Sequence, residues 1–206
     1  YSDPANTILP SFIPGYKKDV QSYDYNPDTA KSMLNELGLS NLNIHMITYS
    51  PSRQYNSVGG QKLAEAVQNY LSKVGITSTI DVYQWTEYKE KLQQGEGDMF
   101  FYGWIGDNGD PDNFLSLLDS KEISSSLNSA KYSNSDVDSL LAKAKSMPSG
   151  DDRNQLYGQI QDIASKDSPW ITLSHANQMA AYSPKVKNFS LHPTGSIFFK
   201  NVDKDN

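Results

Sequence analysis

The sequence predicts an α/β fold in which a largely parallel sheet is flanked by helices. Two observations carry that expectation. Helical and strand periods alternate as α-β-α-β-α-β over residues 28–104, and strands joined through helices pair in parallel with right-handed crossovers. The apolar run Met99–Tyr102 then passes straight into a loop broken by Gly106, Gly109 and Pro111, which carries Asp107, Asp110 and Asp112. A buried strand that ends in such a loop is where α/β proteins place ligand contacts. Asp, Asn and Gly also gather in ordinary surface turns, so both readings of the loop stand at this point.

The elements follow in order. Residues 1–27 hold Pro4, Pro10, Pro14 and Pro27 with little periodicity, which predicts an irregular arm. Asn26 caps the first helix and Pro27 occupies its first position. Ala30, Met33, Leu34 and Leu37 form its apolar stripe, and Gly38 ends it. Asn43–Tyr49 alternates as a strand. The second helix has the clearest pattern, with Leu63, Ala66, Val67, Tyr70, Leu71 and Val74 closed by Gly75. Ile76–Val82 alternates again, residues 85–94 make a short helix closed by Gly95, and a strand over 98–104 follows. Asn113–Leu118 reads as a helical turn or two. Two more helices lie near 135–146 and 151–166, and strands are expected at Pro169–Leu173 and Met179–Tyr182. Residues 183–206 have no clear period, yet Phe189, Ile197, Phe198 and Phe199 call for burial.

Composition narrows the function. The net charge is −6, and no Lys/Arg run exceeds the pair Lys17-Lys18, which argues against a nucleic-acid surface. The absence of cysteine removes disulfides, thiolate metal sites and a cysteine nucleophile. It fits an extracytoplasmic setting. The chain opens at Tyr1 without a methionine or a signal segment, so its front is expected to have been removed.

No motif of catalysis is present. His45, His175 and His192 lie in unrelated contexts, and there is no nucleophile elbow, phosphate loop or dinucleotide fingerprint. No cofactor and no metal is therefore expected. Asn108, Asp110, Asp112 and Asp119 fall at positions 1, 3, 5 and 12 of a calcium loop, but Asn113 stands where glycine is required and Asp119 where a bidentate Glu is required. An aspartate-dependent hydrolase using Asp107 or Asp110 remains an alternative from another class. Arg53 is different. It follows the strand at 43–49, as Asp107 follows the strand at 98–104, so both leave strand carboxyl ends. A guanidinium takes a carboxylate and an aspartate takes an ammonium, so the two could hold a zwitterion. A solvated loop residue is the plainer reading of Arg53.

These residues also carry a resemblance. Gly103-Trp104-Ile105-Gly106-Asp107-Asn108-Gly109-Asp110-Pro111-Asp112-Asn113-Phe114 resembles the signature of bacterial dipeptide- and oligopeptide-binding proteins. These are the extracellular solute-binding proteins of family 5 that feed ABC importers. Tyr23–Gly38 resembles the family's Tyr-Asp-Pro-x-x-Ala-Lys-x-Leu-Leu segment, and Leu63–Ile76 resembles its Ala-Glu-x-Ile-Gln-x-x-Leu-x-x-Ile-Gly-Ile helix. Tyr132-Ser133-Asn134, Val137-Asp138 and Arg153–Gln161 continue the match.

The resemblance implies a periplasmic-binding-protein-like lobe of type II. Relatives are longer and two-lobed, so the chain is expected to be the C-terminal part. Residues 1–182 would form the ligand-binding lobe, and 183–206 a tail returning to the missing N-terminal lobe. It implies a non-enzymatic solute-binding protein in peptide transport, extracytoplasmic, either periplasmic or a cell-surface lipoprotein. Its partners would be a short peptide, dipeptides foremost, and an ABC permease in the membrane. Asp107, three positions after Trp104, would meet the peptide ammonium, and Arg53 its carboxylate. The backbone around Gly103 and Ile105 would bond the peptide main chain in β-fashion. Oligopeptide, haem and nickel carriers of the same family are alternatives.

Overall fold

A computed structural model describes residues 2–192 and 194–205. In chain order the elements are β1 (Ser2–Pro4), α1 (Pro27–Glu36), β2 (Asn43–Tyr49), α2 (Gly60–Ser72), β3 (Thr77–Tyr83), α3 (Trp85–Gln94) and β4 (Met99–Phe100). They continue as α4 (Asp112–Leu115), α5 (Ser135–Lys145), α6 (Asp151–Asp167), β5 (Ser174–Ala176), β6 (Val186–Lys187) and β7 (Asp203–Lys204). The chain forms two compact units, one of residues 21–104 and 117–138, the other of residues 1–20, 105–116 and 139–206.

The first of these units holds the parallel sheet, in the order β3-β2-β4. Strand β2 pairs with β3 along its full length, Asn43 opposite Thr77 through Tyr49 opposite Tyr83. Its core is Met46, Ile47, Tyr49, Ala64, Tyr88, Leu92 and Phe101, which β2, α2, α3 and the segment after β4 supply. As β2 is the central strand, its residues from Met46 to Tyr49 are all buried, as a strand covered on both faces requires.

The expected strand over 98–104 is paired only at Met99 and Phe100. Tyr88 explains the stop. Its buried hydroxyl donates to the Phe101 carbonyl (2.5 Å) and accepts the Phe101 amide (3.1 Å), so both ladder groups of Phe101 are taken by a side chain. Helix α1 starts as expected, with Pro27 at its head and the Asn26 side chain accepting the Thr29 amide (3.0 Å). Its apolar stripe stays outside: no residue of α1 is buried, and Met33 and Leu37 are exposed.

The other unit departs more from expectation. The arm is not wholly irregular, because β1 pairs antiparallel with β5, Ser2 opposite Ala176 and Pro4 opposite Ser174. The strand expected at Pro169–Leu173 thus lies later, at β5. The strand expected at Met179–Tyr182 does not form. The ladder fades towards Leu173 because Pro4 has no amide to give; beyond it Ala5 donates to the Leu173 carbonyl (3.2 Å) and Thr172 Oγ1 donates to the Ala5 carbonyl (3.2 Å). Buried Gln161 ties the arm to α6: it accepts from the Thr7 hydroxyl (2.9 Å) and donates to the Gly15 carbonyl (2.7 Å). Residues 183–206 contain the β6–β7 pair, and Ile197, Phe198 and Phe199 are exposed.

Candidate functional site

The loop after β2 is built around an aromatic cluster. The Arg53 backbone is fixed by a reciprocal bridge with Asn56, amide to carbonyl at 3.0 and 2.9 Å. Its guanidinium lies over Trp85, with Cζ 3.8 Å from the ring centroid. Trp85 meets Tyr49 edge-on at 5.6 Å and stacks with Tyr102 at 5.8 Å and 20°. Tyr49 also holds Tyr55 edge-on at 6.3 Å, and its hydroxyl accepts from the Asn56 side-chain Nδ2 (3.1 Å).

A guanidinium held over a ring by its face keeps N–H donors available, which an arginine bound by a carboxylate does not. Among the described residues Arg53 makes no ion pair. Burial pushes the Tyr55 hydroxyl well above its usual range, with Tyr49 adding to the rise and Arg53 opposing it. Tyr102 is raised by burial as well, again opposed by Arg53. Arg53 thus opposes the rise at these tyrosines, all of them neutral at physiological pH.

Gly103 packs directly on this cluster. A Cβ there would stand 2.3 Å from the Tyr55 ring, so only glycine lets the chain pass. Among the described residues neither Gly103 nor Ile105 uses its backbone in a backbone–backbone hydrogen bond. Each therefore presents free amide and carbonyl groups. Trp104 and Ile105 are half-buried.

The loop that carries Asp107 belongs to the other unit and is built from hydrogen bonds. The Asp107 amide donates to the Asn113 side chain (3.3 Å), the Asp110 amide to Asn108 (3.0 Å) and the Asp112 amide to Asp110 (2.8 Å). The last two are Asx turns, and together with the Asn113 bond they fold the loop on itself. A Cβ at Gly106 would stand 2.5 Å from the Phe114 ring. Asp107 is exposed and, among the described residues, makes no ion pair.

Asp110 is already engaged. Arg153 takes it bidentately, Nη1 to Oδ2 at 2.7 Å and Nη2 to Oδ1 at 3.1 Å, while Nε donates to the Ala144 carbonyl (3.0 Å). Burial pushes the Asp110 carboxyl up, but the Arg153 hydrogen bond, the Asp112 amide and the Arg153 charge outweigh it and leave it below the usual carboxylate range. Asp110 is therefore ionised at neutral pH, with both carboxylate oxygens held by Arg153. No group of three or more His, Asp or Glu side chains among the described residues could hold a metal ion.

Of the residues expected from sequence, Arg53, Gly103 and Trp104 fall in one unit, and Ile105 and Asp107 in the other. Sequence reasoning missed Trp85, Tyr55 and Arg153. Trp85 had a signal, since it follows β3 directly and so also leaves a strand carboxyl end. Arg153 had none, because its partner is far away along the chain.

Comparison with known proteins fits this architecture. The family described as "Bacterial extracellular solute-binding proteins, family 5 Middle" matches residues 1–126. Heme-binding protein A of Haemophilus influenzae is 35% identical over 202 residues, covering 98% of this chain and 37% of that protein. The Dipeptide-binding protein of Escherichia coli is 32% identical over 200 residues, covering 96% of this chain and 37% of that protein. The chain thus spans little more than a third of these relatives. Among solved structures, HbpA2 from Haemophilus parasuis superposes with a TM-score of 0.86 at 26% identity, over 100% of this chain and 40% of that one. A dipeptide binding protein from Pseudoalteromonas sp. SM9913 in complex with Met-Leu gives 0.85 at 29% identity, over 99% and 40%. The fold is that of type II periplasmic binding proteins, and the chain belongs to the bacterial extracellular solute-binding proteins of family 5.

Proposed function

We propose that this chain is the C-terminal part of the solute-binding component of an ABC importer, and that the whole protein binds short peptides, dipeptides foremost. The single observation that carries the reading is the state of Arg53: stacked on Trp85 and left without an ion pair among the described residues. A cation held that way is suited to a ligand carboxylate. Asp107, exposed and likewise without an ion pair, suits a ligand ammonium. The free backbone groups of Gly103 and Ile105 suit an extended peptide, with Trp104 between them.

On this reading no bond of the ligand is broken. The two lobes close over the peptide by a hinge motion and the complex docks on a membrane permease. The engagement of Asp110 by Arg153 speaks against an aspartate hydrolase. Residues 1–182 act as the ligand-binding lobe. Residues 183–206 act as a tail that returns to the first lobe, a role the exposed Ile197, Phe198 and Phe199 support. The protein works outside the cytoplasm, in the periplasm or as a surface lipoprotein.

A haem carrier is the second reading, favoured by the 35% identity to a relative of that name. Calorimetry of the full-length two-lobe protein against dipeptides, tripeptides, haem and a nickel–histidine complex separates the two. Tight binding confined to short peptides is the expected result. Preference for haem or nickel overturns the peptide reading.

A further inference from the structure

We propose that Arg153 is a positioning residue for ligand binding: through Asp110 it clamps the 106–111 loop in the shape that presents Asp107. The inference rests on the peptide reading above for its consequence, but the clamp itself stands on geometry within one compact unit.

Three observations carry it. The loop brings Asp107, Asp110 and Asp112 close together in sequence, and like charges so placed repel unless one is neutralised. Arg153 supplies the neutralising charge in a two-bond fork to Asp110, at 2.7 and 3.1 Å. The same guanidinium donates from Nε to the Ala144 carbonyl near the end of α5 (3.0 Å) and lies 5.0 Å over the Tyr157 ring. The side chains are only 11% and 32% exposed, so the pair is sheltered more than a surface bridge.

The clamp then reaches Asp107 through the loop's own bonds. Asp110 Oδ1, held by Arg153, also accepts the Asp112 amide (2.8 Å). The Asp110 carbonyl accepts the Asn113 amide (3.1 Å), and the Asn113 side chain accepts the Asp107 amide (3.3 Å). A chain of three contacts, through Asp110 and Asn113, therefore runs from Arg153 to the backbone of Asp107. The Asp107 carboxylate makes no hydrogen bond or ion pair among the described residues, so its orientation follows that of the loop backbone. A lysine at 153 cannot replace the fork, since one ammonium cannot span both carboxylate oxygens and the Ala144 carbonyl together.

The test uses the full-length protein with Arg153→Gln, Arg153→Lys and Asp110→Asn. Lys91→Gln, which breaks the ion pair to Glu96 at 2.8 Å, serves as a control for loss of a salt bridge in general. Hydrogen exchange is read at the amides of Asp107, Asp110 and Asp112. Affinity is read for one dipeptide with a free amine and for its N-acetyl form. Arg153→Gln and Asp110→Asn should each speed loop exchange by about tenfold or more and weaken the free-amine peptide by a similar factor. The N-acetyl form should change little, Arg153→Lys should fall between, and Lys91→Gln should leave both readouts alone. Loop exchange that is unchanged, or that rises only together with the rest of α6, overturns the clamp. Equal weakening of both peptides reduces Arg153 to a stabilising residue and overturns its positioning role. If the unsubstituted protein binds no peptide, the peptide reading falls, and the exchange rates still decide the clamp.

Discussion

Arg53 and Asp107 stand on loops of opposite construction. Around Arg53 the support is aromatic: Trp85 lies beneath the guanidinium, and Tyr49, Tyr55 and Tyr102 brace Trp85 and the loop. Around Asp107 it is polar: three side-chain-to-backbone hydrogen bonds and the Arg153 fork hold the loop. The difference follows from what each charge needs. A guanidinium can be fixed by its face while its donors stay free, so a flat apolar surface holds it without satisfying it. A carboxylate has no such face, and any donor that fixes it occupies an acceptor site that a ligand would use. The Asp107 loop therefore leaves one acid to be clamped and another to be presented.

Substitution at the presented groups should have the largest effect. Asp107→Ala in the full-length protein is expected to weaken a free-amine dipeptide by roughly 2–5 kcal/mol, since an enclosed ammonium loses its partner. A change below threefold by calorimetry would break the comparison at its polar end.

Next come the two glycines that let each loop pass its neighbour. Neither has a left-handed φ, so the constraint is space. Gly103→Ala drives a methyl into Tyr55 at 2.3 Å, and Gly106→Ala drives one into Phe114 at 2.5 Å. Each should destabilise by roughly 1–3 kcal/mol in thermal or urea unfolding. If Gly103→Ala is neutral, Tyr55 is free to move and the aromatic support is softer than its geometry implies.

Removal of the stack sharpens the comparison further. Trp85→Leu should weaken a dipeptide with a free carboxylate by about 0.5–2 kcal/mol, with little effect on the C-terminal amide. Equal effects on both would show that Trp85 touches the peptide itself.

The smallest effect is on pH dependence. The carboxyl of Asp110 lies below its usual value in the folded state. It therefore contributes stability that is fully present above the unfolded-state pKa and is lost as pH falls through the lower folded-state value. With the side chain 32% exposed, that contribution is at most about 1 kcal/mol. Asp110→Asn should flatten the acid limb of a stability–pH curve by that amount. An unchanged limb would show that Arg153 does not favour the ionised form.

Sequence was most informative where periodicity and turn chemistry act locally. The α-β-α-β-α-β order over 28–104, the Asn26-Pro27 start of α1 and the left-handed Gly95 after α3 all stand in the structure as read. It failed where a long-range partner decides. The paired length of β4 is set by the Tyr88 hydroxyl, a contact no local pattern encodes. The position of β5 is set by a three-residue partner in the arm. The apolar stripe of α1 was legible, but its exposure was not. For the candidate site, sequence placed Arg53 in the loop just after β2, where the structure has it, whereas Asp107 lies well beyond the end of β4 and the supports of both loops were not legible. Trp85 lies two positions after the end of β3 and meets Arg53 only through the fold, and Arg153 meets Asp110 across 43 positions of sequence.

The most direct test of the account is a crossed calorimetric titration of the full-length protein. One dipeptide is used in four forms: free, N-acetylated, C-amidated and doubly blocked, against the unsubstituted protein, Arg53→Ala and Asp107→Ala. The account predicts that Arg53→Ala abolishes discrimination between acid and amide while keeping that between amine and acetyl, and that Asp107→Ala does the reverse. Loss of both discriminations in either variant, or of neither, would contradict it.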